Sequence, residues 1–208
     1  MTEEQYWGRF AQSYDQDGEY IVGKEILYQI SEYILKEYQL GEVLEFGCGT
    51  GYFSKIIAQK ADHLIATDLS DDMLHIARKQ LSELHNVEVK KADCKTTPYP
   101  AGNFDCIFMV NLIHVIKNPE KAIQESYRLL KSKGILVIIS FTTNKMSLLN
   151  KMILGIRYLR TWDSPPKGGK HNLSTNYLSN FVSRYNFKVD ICKIIGNKSK
   201  AIYLRAIK

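Results

Sequence analysis

The strongest constraint on the fold lies between residues 42 and 141, where short apolar runs alternate with helix-like stretches. Residues 42–46 read as a strand that runs straight into Gly47, Gly49 and Gly51. A helix is expected over 52–60, a second strand over 63–67 ending on Asp68, and a helix from Ser70 to Leu84. Ser70 is a good N-cap, and Asp71 and Asp72 suit the positive end of a helix dipole. A third strand covers 87–90 and ends at Ala92-Asp93. A fourth covers 104–111, Asn118-Pro119 opens a helix through Leu130, and a fifth strand covers 134–141. The fourth and fifth strands are apolar along most of their length, as strands buried on both faces should be. Such alternation argues for a parallel sheet with helices on both faces.

The flanks are less regular. Ile21, Val22, Ile26, Leu27, Ile30, Ile34 and Leu35 keep a helical rhythm over 19–38, which Gly41 stops. Past residue 141 the pattern predicts a helix over 146–159 and a loop with Pro165, Pro166, Gly168 and Gly169. A helix over 173–184 follows, then strands over 187–195 and 201–208 joined by Gly196-Asn197, a hairpin signal. The 208 residues suit a single domain, with 1–40 as a helical cap and 142–172 as an insert. The longest apolar run, Ile135 to Ile139, falls far short of the ~20 residues that span a bilayer. The polar start of the chain does not resemble a secretory signal. Cys48, Cys94, Cys106 and Cys192 form no C-x-x-C pair and have no His cluster near them. No disulfide framework and no metal site is expected, and a reducing cytoplasm fits.

The chemistry concentrates in Glu45-Phe-Gly47-Cys-Gly49-Thr-Gly51, where the first strand turns into the first helix of the alternation. Glycines there let backbone approach a ligand, and the following helix start offers free N–H groups to an anionic end. Ligands of open α/β sheets bind beyond the carboxyl ends of the strands, where this loop lies. A dinucleotide fingerprint would need glycine at position 52, which is Tyr52, and no phosphate-loop Lys-Ser or Lys-Thr follows. Asp68 ends the second strand, where a carboxylate can accept from a ribose diol.

These segments, with Asp68-Leu-Ser-Asp-Asp-Met73, Ala92-Asp93 and Phe104-Asp-Cys-Ile-Phe108, resemble the successive motifs of class I S-adenosylmethionine-dependent methyltransferases. The small-molecule and quinone-type branch is most similar, and Tyr6-Trp7…Phe10-Ala-Gln-Ser-Tyr14-Asp15 resembles its N-terminal segment. The resemblance implies a Rossmann-like, doubly wound seven-stranded sheet, mostly parallel, with one antiparallel strand from a C-terminal hairpin. It also implies S-adenosyl-L-methionine as cofactor and S-adenosyl-L-homocysteine as product. Gly47 and Gly49, in a loop completed by Gly51, would approach the methionine part, with Glu45 near its ammonium end. Asp68 would bind the ribose, Leu69 and Met73 would flank the adenine, and Asp93 with the Cys94 amide would meet its edge. Asn111 would border the sulfonium, and Tyr14 would close over the cofactor. Plainer readings exist: Asp68 as a helix cap, Met73 as core, Cys48 and Cys94 as small loop residues.

His114, just past the fourth strand, is either a base for the methyl acceptor or a packed residue at the mouth of the site. The insert 146–159 reads as a lid helix or as a membrane-surface helix, with Lys151, Arg157 and Arg160 among its apolar residues. The expected partner is a small-molecule methyl acceptor, with peripheral membrane contact compatible and no obligate protein partner indicated. A net charge of +6 first suggests a polyanion. Yet no RNA-binding module is visible, and Asn111 is followed by Leu112-Ile113 rather than the prolines of a base-amine signature. A nucleic-acid substrate and a non-catalytic cofactor-binding role are therefore the secondary expectations. The basic side chains left to explain are Lys151, Arg157, Arg160, Lys167 and Lys170.

Overall fold

The computed structural model describes residues 3–38, 40–162 and 173–208. Three helices come first: α1 (Glu3–Gly8), α2 (Tyr14–Val22) and α3 (Lys24–Leu35). The single helix expected over 19–38 is broken at Gly23, whose φ of +87° no helix accommodates. The apolar rhythm survives the break because Ile21, Ile26, Ile30 and Ile34 are all buried.

The alternation then follows in order: β1 (Glu42–Phe46), α4 (Ser54–Ile57), β2 (His63–Asp68), α5 (Asp71–Leu81), β3 (Val87–Lys91), β4 (Phe104–Val110), α6 (Pro119–Leu129) and β5 (Leu130–Thr142). The chain ends with α7 (Leu148–Thr161), α8 (Thr175–Ser183), β6 (Lys188–Ile195) and β7 (Lys200–Ile207). Helix α4 is one turn where nine residues were expected, because the chain on both sides takes tighter turns. Strand β5 starts at Leu130, not at Gly134. Leu130 leaves the helix with extended angles and pairs with Phe104, before a register shift carries the ladder on to Cys106 and Ile135. Helices α7 and α8 each begin one residue after a serine, Ser147 and Ser174, that accepts a backbone N–H from the first turn. The loop expected around Pro165, Pro166, Gly168 and Gly169, with Lys167 and Lys170, lies outside the described residues.

The seven strands form one sheet in the order β3-β2-β1-β4-β5-β7-β6. Neighbours pair in parallel except β7, which runs antiparallel to both β5 and β6. Each central strand feeds two cores by the period-two alternation of its side chains. Val43, Cys106, Phe108, Val137 and Tyr203 face one layer with α3, α4 and α5. Leu44, Ile107, Met109, Ile138 and Leu204 face the other with α6 and α8. The chain winds outward from β1 through β2 to β3, then returns to β4 on the other side of β1. That reversal opens a crevice beyond the carboxyl ends of β1 and β4, where open α/β sheets place their ligands.

Candidate active site

A cavity of about 390 Å³ occupies that crevice. Its floor begins at the glycine loop. Gly47 and Gly49 have φ of +70° and +54°, and a Cβ on Gly47 would come within 2.7 Å of Leu112 Cδ1. Both positive φ and close packing therefore require glycine at 47. The loop is braced from β2: Asp68 Oδ2 accepts the Gly49 N–H at 2.9 Å and Oδ1 accepts the Ser70 N–H at 2.9 Å. Ser70, not Asp68, caps α5, its hydroxyl oxygen accepting from the Met73 N–H at 3.4 Å. With three backbone amides on about four lone-pair directions, the Asp68 carboxylate keeps acceptor capacity for a ligand.

Three carboxylates descend along one wall: Glu45 near the end of β1, Asp68 at the end of β2 and Asp93 just past β3. These strands are neighbours in the sheet, at a spacing of about 4.8 Å, so the row spans ~10 Å. Glu45 is 1% exposed and accepts from the Ser54 hydroxyl at 2.5 Å. Burial pushes its carboxyl from the ordinary 4.5 up to about 7, against the pull of the Ser54 bond and with help from Asp68. Burial also raises Asp68, although the amides of Ser70, Gly49 and Leu69 counter it. Asp93 accepts the Lys95 N–H at 3.0 Å. Leu69 and the buried Met73 line the same cavity. The Cys48 thiol is driven well up by burial, then by Glu45 and Asp68, which keeps it protonated and unreactive.

The same cavity is lined by the apolar side chains of Ile21, Val22, Leu27, Phe53, Phe141 and Leu154. Asn111, at φ +58° after β4, donates its N–H to Ile139 O, and its side-chain oxygen accepts from the Phe141 N–H at 3.1 Å. His114 lines the same end, its Nδ1 2.6 Å from the buried Ser140 Oγ. An aromatic cluster forms a partial roof at the cavity. Tyr14 stacks on Trp162 at 5.4 Å between centroids, with Trp7 edge-on to both rings. Burial, then Asp68 and Asp15, pushes the Tyr14 hydroxyl above the ordinary phenol range. Asp15 ties this roof down, accepting from Thr50 Oγ1 at 2.5 Å and Gln80 Nε2 at 2.8 Å.

Residues 44–138 match the family model of a methyltransferase domain. That stretch, rather less than half of the chain, is similar to methyltransferase domains. It is 30% identical over 117 residues to the ubiquinone/menaquinone biosynthesis C-methyltransferase of Vibrio cholerae, covering 53% of this chain and 45% of that one. It is 30% identical over 109 residues to the demethylmenaquinone methyltransferase of Clavibacter sepedonicus, covering 52% and 44%. The chain thus spans about half the length of the curated relatives it matches. An S-adenosylmethionine-dependent methyltransferase of Thermotoga maritima shares the fold across the full length of both chains, at a TM-score of 0.75 and 21% identity.

The fold brings Tyr14, Glu45, Gly47, Gly49, Asp68, Leu69, Met73, Asp93, Cys94, Asn111 and His114 around one cavity. Gly51 stands apart. Its φ of +87° turns the chain, and a Cβ there would meet Leu81 and Ala77 of α5, so it shapes the loop from behind. Sequence reasoning passed over Asp15, Thr50, Trp7 and Trp162. Asp15 adjoins Tyr14 in the N-terminal segment, and that adjacency was the available signal. Trp162 carried none, because only the fold brings α7 onto α2. The four cysteines are free, and among the described residues no group of three or more His, Cys, Asp or Glu could hold a metal. Among them, too, no helix is long and apolar enough to cross a membrane.

Proposed function

We propose that this chain transfers a methyl group from S-adenosyl-L-methionine to a small, largely apolar acceptor. The observation that carries this reading is the row of Glu45, Asp68 and Asp93 along one wall of one cavity. An amino-acid arm, a ribose and an adenine present an ammonium, a diol and an amine in the same order. Glu45 would hold the ammonium end and Asp68 the diol. Asp93 and the Cys94 N–H would take the adenine edge, with Leu69 and Met73 on its faces. The backbone of Gly47 and Gly49 supports the methionine arm, in a loop shaped by Gly51.

The bound cofactor supplies an electrophilic methyl group, so the protein's work is alignment and proton handling. Asn111 borders the reacting end. Tyr14, with Trp7 of α1 and Leu154, Tyr158 and Trp162 on and just past α7, shields that end of the cavity from water. When Nδ1–H of His114 donates to Ser140 Oγ, the basic lone pair resides on Nε2. Nε2 then removes the proton that an acceptor hydroxyl or activated carbon must lose. The apolar side chains of Ile21, Val22, Leu27, Phe53, Phe141 and Leu154 in the cavity lining favour a largely apolar acceptor. The relatives named for quinone precursors support the same class. Four free cysteines suit work in the reducing cytoplasm.

Titration calorimetry with S-adenosylhomocysteine tests the reading. Wild-type protein binds it, and Asp68→Ala loses at least about tenfold in affinity, the worth of a charge-assisted hydrogen bond. Absence of wild-type binding at millimolar ligand refutes the proposal.

A further inference from the structure

Helix α7 is amphipathic with its apolar side turned outward. Leu154, Tyr158 and Trp162 follow one another at i, i+4 and i+8 and line the cavity. The opposite side carries Leu148 (84% exposed), Leu149 (60%), Met152 (57%), Ile156 (45%) and Leu159 (71%), and no residue of the helix proper is buried. Isolated exposed leucines need no explanation, but an apolar face along ~17 Å of helix does.

Charge decides what covers it. The stretch 143–162 holds Lys145, Lys151, Arg157 and Arg160 and no carboxylate. Among the described residues Lys145, Lys151 and Arg160 make no ion pair, and all three are exposed. Lys151 and Arg160 border the apolar side, while Arg157 turns inward to the Tyr20 carbonyl and ring. The carboxylates of α2, the helix packed on α7, keep their charge but turn to partners other than the basic side chains of α7. Asp15 holds Thr50 and Gln80, Asp17 holds Ser13 and Trp162, and Glu19 holds Lys24. Tyr20, half exposed beside Arg157, adds an amphipathic ring at the rim. An apolar face bordered by cations and free of anions matches an anionic bilayer surface, with acyl chains under the leucines and head groups against the basic rim.

We propose that the outer face of α7 docks this protein on an anionic membrane surface, with α7 lying in the interface plane and its inner face roofing the cavity. The docking itself stands independently of the methyltransferase reading. Only its purpose, to admit a lipid-dissolved acceptor beneath α7, rests on that reading.

Co-sedimentation of the whole chain with phosphatidylcholine vesicles, with and without phosphatidylglycerol, tests the proposal. The wild type pellets with the anionic vesicles, and at least about tenfold less with neutral ones, on the basis of roughly fivefold per basic residue. Added salt releases it. The triple variant Leu149→Ser, Met152→Ser, Leu159→Ser loses binding to both vesicle types. Lys151→Glu with Arg160→Glu loses the anionic preference. Circular dichroism and S-adenosylhomocysteine affinity, measured on the same variants, stay at wild-type values. Wild type remaining in the supernatant overturns the proposal, as does a triple variant that pellets like wild type. A wild-type dimer in sedimentation velocity, dissolved by the triple substitution while vesicles bring nothing down, overturns it in favour of a second copy of the chain. Failure of cofactor binding in all proteins strikes the methyltransferase reading and leaves the vesicle result standing.

Discussion

Glu45→Gln isolates the energetic consequence of placing a carboxyl group inside the cavity wall. Glu45 is 1% exposed, and its carboxyl rises from 4.5 to about 7. A raised folded-state value means that the native protein holds this proton where the unfolded chain has released it. Stability therefore falls as pH climbs through the window from about 4.5 to 7, and the full penalty is present above it. At 1.36 kcal/mol per pH unit the penalty is ~3 kcal/mol. Glutamine keeps the shape and an acceptor for the Ser54 hydroxyl but cannot ionise. The variant should match wild type near pH 4.5 and exceed it by ~3 kcal/mol at pH 8, measured by urea unfolding without ligand. Asp68 titrates in both proteins, so the comparison removes its own burial and leaves only its coupling to Glu45. A variant no more stable than wild type at pH 8 refutes the reasoning, because Glu45 would then be compensated by something other than a ligand. S-adenosylhomocysteine should reverse the order. Its ammonium favours the carboxylate, so wild-type affinity rises between pH 6 and 8 while that of Glu45→Gln stays flat.

Other substitutions read the remaining parts of the site. Gly47→Ala forces a Cβ to 2.7 Å from Leu112 at φ +70°. It should destabilise by about 1–3 kcal/mol in thermal unfolding and abolish S-adenosylhomocysteine binding. His114→Asn should lower turnover about 10²–10⁴-fold on an acceptor that loses a proton, with cofactor affinity unchanged. Ser140→Ala should displace the acid limb of the pH–rate profile without changing cofactor affinity, whereas an unmoved profile means that Ser140 only packs. Trp162→Ala removes the stacking partner of Tyr14, and should raise the KM for the acceptor more than it lowers kcat, in steady-state kinetics.

The central alternation was legible because strands β1, β2, β4 and β5 declare themselves as apolar runs and the glycines between β1 and α4 occupy positive φ. Ser70 was equally readable, since a serine before two aspartates announces a helix start through local hydrogen bonding alone. The break at Gly23 was hidden, because apolar spacing continues across it and a lone glycine inside a helical rhythm leaves the rhythm intact. The early start of β5 was hidden too. Lys131-Ser-Lys133-Gly134 looks like a loop, and only the pairing of Leu130 with Phe104 makes it strand. The carboxylates of the site could be found in sequence since each lies at, next to or just past the end of a strand. The Ser140 partner of His114 and the Trp162 partner of Tyr14 depend on contacts that the fold alone creates.

The place of β7 has a consequence for how the chain is made. It is the last strand in order yet lies inside the sheet, donating one edge to β5 and the other to β6. During synthesis β5 emerges long before residues 200–207, and its outer edge stays unpaired while α7, α8 and β6 follow. An open apolar edge of that kind is a template for pairing with another chain. Nascent chains arrested before β7 should therefore be the species most prone to aggregate and most dependent on chaperones, and release of residues 200–207 should end that vulnerability in one closing step.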